Sequence, residues 1–178
     1  RKAEDELSRT LQQMETIKRE LRRMEENRSN HDRDRRTMKE RDRQLWLLEQ
    51  AIEAADDVVM IAEVDAGTHR VVRVNRAFER MTGYTAPEIF GKSPRMLQGP
   101  DTDPEDAERV RAKLRAHEPV QAELLNYRKD GSTFWVQLNI QPVFDDKQEL
   151  KYWISVQRDV TERRALEDRQ HLLEEVHV

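Results

Sequence analysis

Few side chains in this sequence are arranged for covalent chemistry. There is no cysteine among its 178 residues, which removes disulfides, thiolate nucleophiles and cysteine-based metal sites together. His69 lies by a predicted strand and His117 follows a predicted helix. Neither has a partner at metal-ligand spacing, and a lone loop histidine is expected to be solvated. Asp56-Asp57 reads as a helix-end or turn pair, and no nucleophile–base pair or paired-carboxylate spacing supports an enzyme. What remains is non-covalent recognition, and spacing alone singles out no residue for it. Arg95 and Arg111 offer forked donors that suit a phosphate. Asn126 and Gln157 each carry a donor and an acceptor, which suits a uracil-like ring edge. A plainer role is equally open to them: the amides could bond each other or backbone in a filled core, and the arginines could lie on the surface.

All four residues fall in the middle of the chain, and composition separates that middle from its flanks. Charged residues are 38% and hydrophobic ones 36% of the sequence, too polar for one compact globule to bury it all. The excess charge sits in the first forty-odd residues and the last fifteen, while every Trp, Tyr and Phe lies between them. A net charge of −4 gives no reason to expect nucleic-acid binding. No run approaches eighteen apolar residues and no apolar signal segment opens the chain, so a cytoplasmic chain without a membrane span is expected.

Residues 1–45 contain no Pro or Gly and are rich in helix formers. Leu7, Leu11, Met14, Ile17, Leu21 and Met24 recur at spacings of four and three, the narrow apolar stripe of a coiled-coil seam. From Glu25 the seam thins, since Arg28, His31, Arg35, Met38 and Asp42 would occupy it. Two readings stay open: a solvated connector helix, or a weak dimer seam able to shift register. Residues 46–162 form the expected domain. Val58–Ala62 and Val71–Val74 read as a hairpin about Asp65-Ala66-Gly67-Thr68. Asn75 caps a short helix that Gly83 ends, and Asp103-Pro104 opens a longer one to about Ala116. Strands at 120–128, 133–144 and 151–159 complete an α+β fold, one five-stranded antiparallel sheet with helices on one face. Alternation puts Val136, Leu138 and Ile140 on one strand face and Trp153, Ser155 and Gln157 on one face of the next. Residues 163–178 return to helix, so the domain is expected to sit between two coiled-coil helices as a fragment of a longer chain.

Four motifs in order resemble the PAS family of sensory domains: Val74-Asn75-Arg76-Ala77-Phe78, Thr82-Gly83-Tyr84, Arg128-Lys129-Asp130-Gly131 and Gln157-Arg158-Asp159-Val160-Thr161. Within it, Gly91-Lys92-Ser93-Pro94-Arg95-Met96-Leu97-Gln98-Gly99 is similar to the signature of the flavin-binding LOV branch. There Pro94 occupies the position of the photoactive cysteine, so cysteinyl-adduct photochemistry is excluded. The resemblance implies an FMN or FAD site in which Asn126, Gln157 and Gln98 meet the ring and Arg95 and Arg111 hold the phosphate. Val136 and Ser93 depart from it, each standing where the LOV pattern has an asparagine. An empty structural pocket or another ligand is the alternative, with heme the least attractive.

The resemblance also implies a parallel homodimer through the flanking helices and an output domain C-terminal to residue 178. Leu172-Leu173-Glu174-Glu175-Val176-His177 resembles the start of a histidine-kinase phosphoacceptor helix, with His177 at or beside the acceptor. A change at Gln157 would then pass through Asp159 and Thr161 into the exit helix. The rival reading is a ligand-free PAS spacer that dimerises and relays, its pocket filled by Trp153 and Met60.

Overall fold

The computed structural model describes residues 2–175, and the side chains of 14–174. The chain divides into two compact units, Arg1–Gln50 and Ala51–Val178. Helix α1 (Lys2–Ala54) runs nine residues beyond the predicted boundary at 45. Leu45 to Ala54 are themselves good helix formers with no Gly or Pro to stop them. In the first unit Met14, Ile17, Leu21 and Met24 form the expected stripe and stand more than half exposed, as do Leu45, Trp46 and Leu48. The side chains of Leu7 and Leu11 lie outside the described ones.

The second unit is a five-stranded antiparallel sheet in the order β2-β1-β5-β4-β3. Its strands are β1 (Val58–Asp65), β2 (Thr68–Val74), β3 (Val120–Tyr127), β4 (Thr133–Phe144) and β5 (Leu150–Asp159). Between β2 and β3 lie α2 (Arg76–Thr82), α3 (Ala86–Ile89), a 3-10 turn at Pro94–Leu97 and α4 (Pro104–Arg115). Helix α5 (Thr161–Glu175) leaves β5. One sheet face is buried: Val58, Met60 and Ala62 alternate inward on β1, and Trp153, Ser155 and Gln157 on β5. Tyr152, Ile154 and Val156 face solvent from the other side.

Local signals fix the short helices. Asn75 caps α2, accepting from the Phe78 N–H, and Gly83 ends it in the left-handed region (φ 78°). Asp103 caps α4 with Pro104 at its first position. Asn75 does more than cap. Its side chain is buried; its Oδ1 also accepts from Val59 N at 3.0 Å, and its Nδ2 donates to the carbonyls of Ile52 and Asp57 at 2.9 and 3.0 Å. It therefore ties the last turn of α1 to β1 and α2.

The exit is held as firmly. Val160 N donates to Trp135 O, and Trp135 N donates to Thr161 Oγ1 at 2.9 Å. The Arg164 guanidinium lies 3.7 Å from the Trp135 ring centroid, and Glu123 accepts from Arg163 and from Arg164. Ion pairs hold several carboxyl groups below their ordinary values. Asp57 is lowered mainly by its bond from Arg158. Glu123 and Asp159 are lowered despite burial, by Arg164 and Arg163 and by Thr161 and Arg128 respectively. A carboxylate whose folded pKa is depressed lends stability above its unfolded pKa and loses it as pH falls through the folded one. The urea midpoint should accordingly fall as pH drops below about 4.5, and Arg158→Gln should flatten that fall. An unchanged pH profile in that variant would show that the Asp57 pair contributes nothing.

Candidate functional site

Between the buried sheet face and the helices lies a cavity of about 680 Å³, within the range of small-ligand sites. All five residues singled out in the sequence line it: Arg95, Gln98, Arg111, Asn126 and Gln157. Their environments divide it into two ends. Asn126 and Gln157 are buried at the 5% level, while Arg95 is exposed and Arg111 half-buried. The amides therefore form a deep polar end and the guanidiniums a basic mouth.

The deep end is incompletely satisfied. Gln157 Nε2 donates to Ser155 Oγ at 3.0 Å, so the two amides are not paired with each other. Asn126 Oδ1 is buried with no hydrogen-bond partner. Such an orphan acceptor costs about 1–3 kcal/mol when left unpaired, and its natural complement is an N–H on a ligand. Trp153 Nε1 is a second buried orphan on the same wall, and this one is a donor. Met60 and Trp153 line the cavity without filling it. Val136, on β4 between the strands of Asn126 and Gln157, is fully buried in the apolar cluster with Phe134 and Leu124.

At the mouth, Glu108 accepts from Arg111 Nε at 3.0 Å and from Arg115 Nη2 at 2.5 Å, and its pKa is held down first by Arg115 and then by Arg111. Arg115 also lines the cavity, so three guanidiniums stand at the mouth, two of them bonded to Glu108. The sequence reading missed Arg115; its spacing of four from Arg111 on α4 places both on one helix face. His117, expected to be solvated, is exposed at the cavity rim, whereas His69 departs from that expectation. His69 is half-buried on β2, its ring edge-on to Trp153 with centroids 6.3 Å apart. Burial, and then the charge of Arg95, lower its pKa and favour neutral imidazole.

The loop after the 3-10 turn is pinned against β3. Gly99 N donates to Thr102 Oγ1, which donates to Leu125 O at 2.6 Å, and Asp101 N donates to Tyr127 Oη at 2.8 Å. A Cβ at Gly99 would come within 2.9 Å of Tyr127 Cζ and closer still to its ring edge. Glycine there lets the loop hold Gln98 in the cavity wall.

A family profile described as a PAS domain matches residues 56–162. A solved light-oxygen-voltage domain, reported with a flavin analogue, is 36% identical over 72% of this chain and 95% of its own, with a TM-score of 0.62. This chain is a PAS domain of the LOV branch. The LOV domain of a blue-light-activated histidine kinase from Erythrobacter litoralis is also 36% identical (TM-score 0.56), over 59% of this chain and 96% of that one. A blue-light-activated histidine kinase from Brucella anthropi is 40% identical over 111 residues, which are 62% of this chain. Those residues cover only 23% of that kinase, so the chain spans about a quarter of its relative. One departure from the LOV pattern removes a chemistry. Pro94 opens the 3-10 turn on the cavity wall, and with no cysteine in the chain the domain has no side chain able to form a thioether adduct. Among the described residues no helix is long and apolar enough to cross a membrane.

Proposed function

We propose that this LOV domain is a sensory module that holds a flavin in its cavity and relays the state of that flavin through β5 to α5. The observation that carries the reading is the orphan Oδ1 of Asn126 at the closed end of a cavity whose other end is basic. A flavin nucleotide has a ring N–H and carbonyls at one end and a phosphate at the other. Asn126, Gln157 and Gln98 would hold the ring edge, and Arg95 and Arg111 the phosphate, FMN being the simplest fit and FAD the larger one. When bound, the flavin supplies a blue-absorbing, redox-active ring. The chain's own residues bind it, exclude water and read its edge.

The relay follows from three consecutive side chains. Gln157 faces the cavity; Arg158 points outward to Asp57, with Nε and Nη2 each meeting a carboxylate oxygen at 2.9 and 2.6 Å. Asp159 binds Arg128 and accepts from both the N–H and the hydroxyl of Thr161 at the start of α5. A shift at Gln157 thus reaches the exit helix within four residues. We further read the domain as one part of a cytoplasmic sensor kinase, working as a parallel homodimer through the exposed stripes of its flanking helices. His177, the candidate phosphoacceptor, lies outside the described residues.

An absorption spectrum of the purified chain, before and after adding FMN, tests the flavin. Bands in the blue would support it; a protein-only spectrum that persists with added FMN would leave a ligand-free spacer. Gln157→Leu tests the relay. The variant should still take up FMN, but light or reduction should no longer change proteolysis of α5. A response equal to that of the unaltered chain would rule out the route through Gln157.

A further inference from the structure

Trp153 is 3% exposed, lines the cavity, and has an Nε1–H that is buried and bonded to nothing. A buried indole N–H normally finds an acceptor, and an orphan is costly enough to call for an explanation. No side chain or backbone group supplies one: Trp153 pairs with Ala62 on β1 and Pro142 on β4, and the buried cluster it belongs to is otherwise made of aliphatic residues and Phe134.

Its position along the cavity says what the missing acceptor is. Trp153 and Gln157 lie on one strand face four residues apart, roughly 13 Å at strand rise. The ring of His69 is beside Trp153, and His69 feels the charge of Arg95 at the mouth. The indole therefore stands between the amide end and the guanidinium end. We infer that Trp153 Nε1–H is a hydrogen-bond donor to an oxygen on the segment linking ring to phosphate in the bound ligand, which in a flavin is the polyol chain. This inference rests on the flavin reading above and adds to it a selecting contact: the site recognises the linker as well as the two ends. No bond is made or broken; one donor passes from unpaired to paired.

The test is a ligand series on the unaltered chain and on Trp153→Phe, which keeps an aromatic ring and removes the N–H. The probes are FMN, riboflavin and lumiflavin, the last carrying a methyl group where the polyol would be. Affinities come from quenching of flavin fluorescence. Trp153→Phe should weaken FMN and riboflavin about tenfold, the effect of one net hydrogen bond, and leave lumiflavin within about twofold. Equal weakening of all three, or of none, would overturn the assignment, since packing alone does not distinguish the linker. Should the variant fold poorly, the indole proton of Trp153 in the unaltered chain gives the same answer by NMR. It should move downfield and become protected with riboflavin but not with lumiflavin; identical shifts with both would again overturn the assignment. If the unaltered chain binds none of the three, the flavin reading itself fails and takes the donor role with it. If it binds all three with no contrast between the variants, only the donor role fails.

Discussion

Asn75→Ala should destabilise the domain by about 3 kcal/mol, the largest loss expected of any single truncation outside the apolar core. The side chain makes four hydrogen bonds, two accepted from the N–H groups of Val59 and Phe78 and two donated to Ile52 and Asp57. An average protein hydrogen bond is worth about 1 kcal/mol net, and a helix cap about the same. The longest of the four, 3.4 Å to Phe78 N, is discounted. For a unit of this size the melting temperature should fall by roughly 10 °C. Asn75→Asp will not rescue it, because a carboxylate keeps both accepted bonds but faces two carbonyl oxygens. A drop of only a degree or two for Asn75→Ala would mean that water replaces the side chain without cost. The loss should be accompanied by earlier proteolysis near Ile52, where the end of α1 is released.

Replacing both Arg95 and Arg111 with Gln should weaken FMN about a hundredfold and riboflavin by no more than about twofold. Each guanidinium would give charge-assisted bonds to the phosphate, worth about 1.5 kcal/mol apiece at the low end that suits an open mouth. Together they correspond to about two decades in affinity. Arg115 remains in the double variant with Glu108 as its sole partner in the mouth, so some preference for the phosphate should persist. Removing Arg115 as well should abolish it. Equal losses for FMN and riboflavin would show that the arginines shape the cavity and do not meet a phosphate. Fluorescence titration at fixed ionic strength is the measurement, since the expected contrast is electrostatic and salt screens it.

The parts of this fold that could be read in advance are those encoded by neighbours in sequence. Asn75 and Gly83 bracket α2, Asp103-Pro104 opens α4, and Asp130-Gly131 turns β3 into β4, each by a backbone preference acting over a few residues. Alternation likewise placed Trp153, Ser155 and Gln157 on the inner face. Helix α1 outruns the expected boundary because nothing between Leu45 and Ala54 discourages helix; at its end the Ile52 carbonyl is bonded by the Asn75 side chain, some twenty residues later. Arg95, Gln98, Arg111, Asn126 and Gln157 were selected by family likeness, and the fold brings all five to one cavity. What they touch was not legible. That Gln157 bonds Ser155, that Arg111 and Arg115 share Glu108, and that Asn126 Oδ1 and Trp153 Nε1 are left wanting depends on the packing of distant strands. His69 illustrates the same limit, since only the pairing of β2 with β1 brings it against Trp153.

The fastenings at either end of the domain also define where it can be cut. On the entry side the last fixed points are the Ile52 carbonyl, held by Asn75, and Asp57, held by Arg158. On the exit side they are Thr161 and Arg164, both anchored on Trp135. The bonds that fasten the start of α5 to the sheet, through Trp135 and Glu123, lie between those residues. A cassette of residues 52–164 should therefore carry its own exit geometry into a foreign helical protein. Seams placed further in would sever the anchors, and seams further out would keep them and change only the helical phase at the junction.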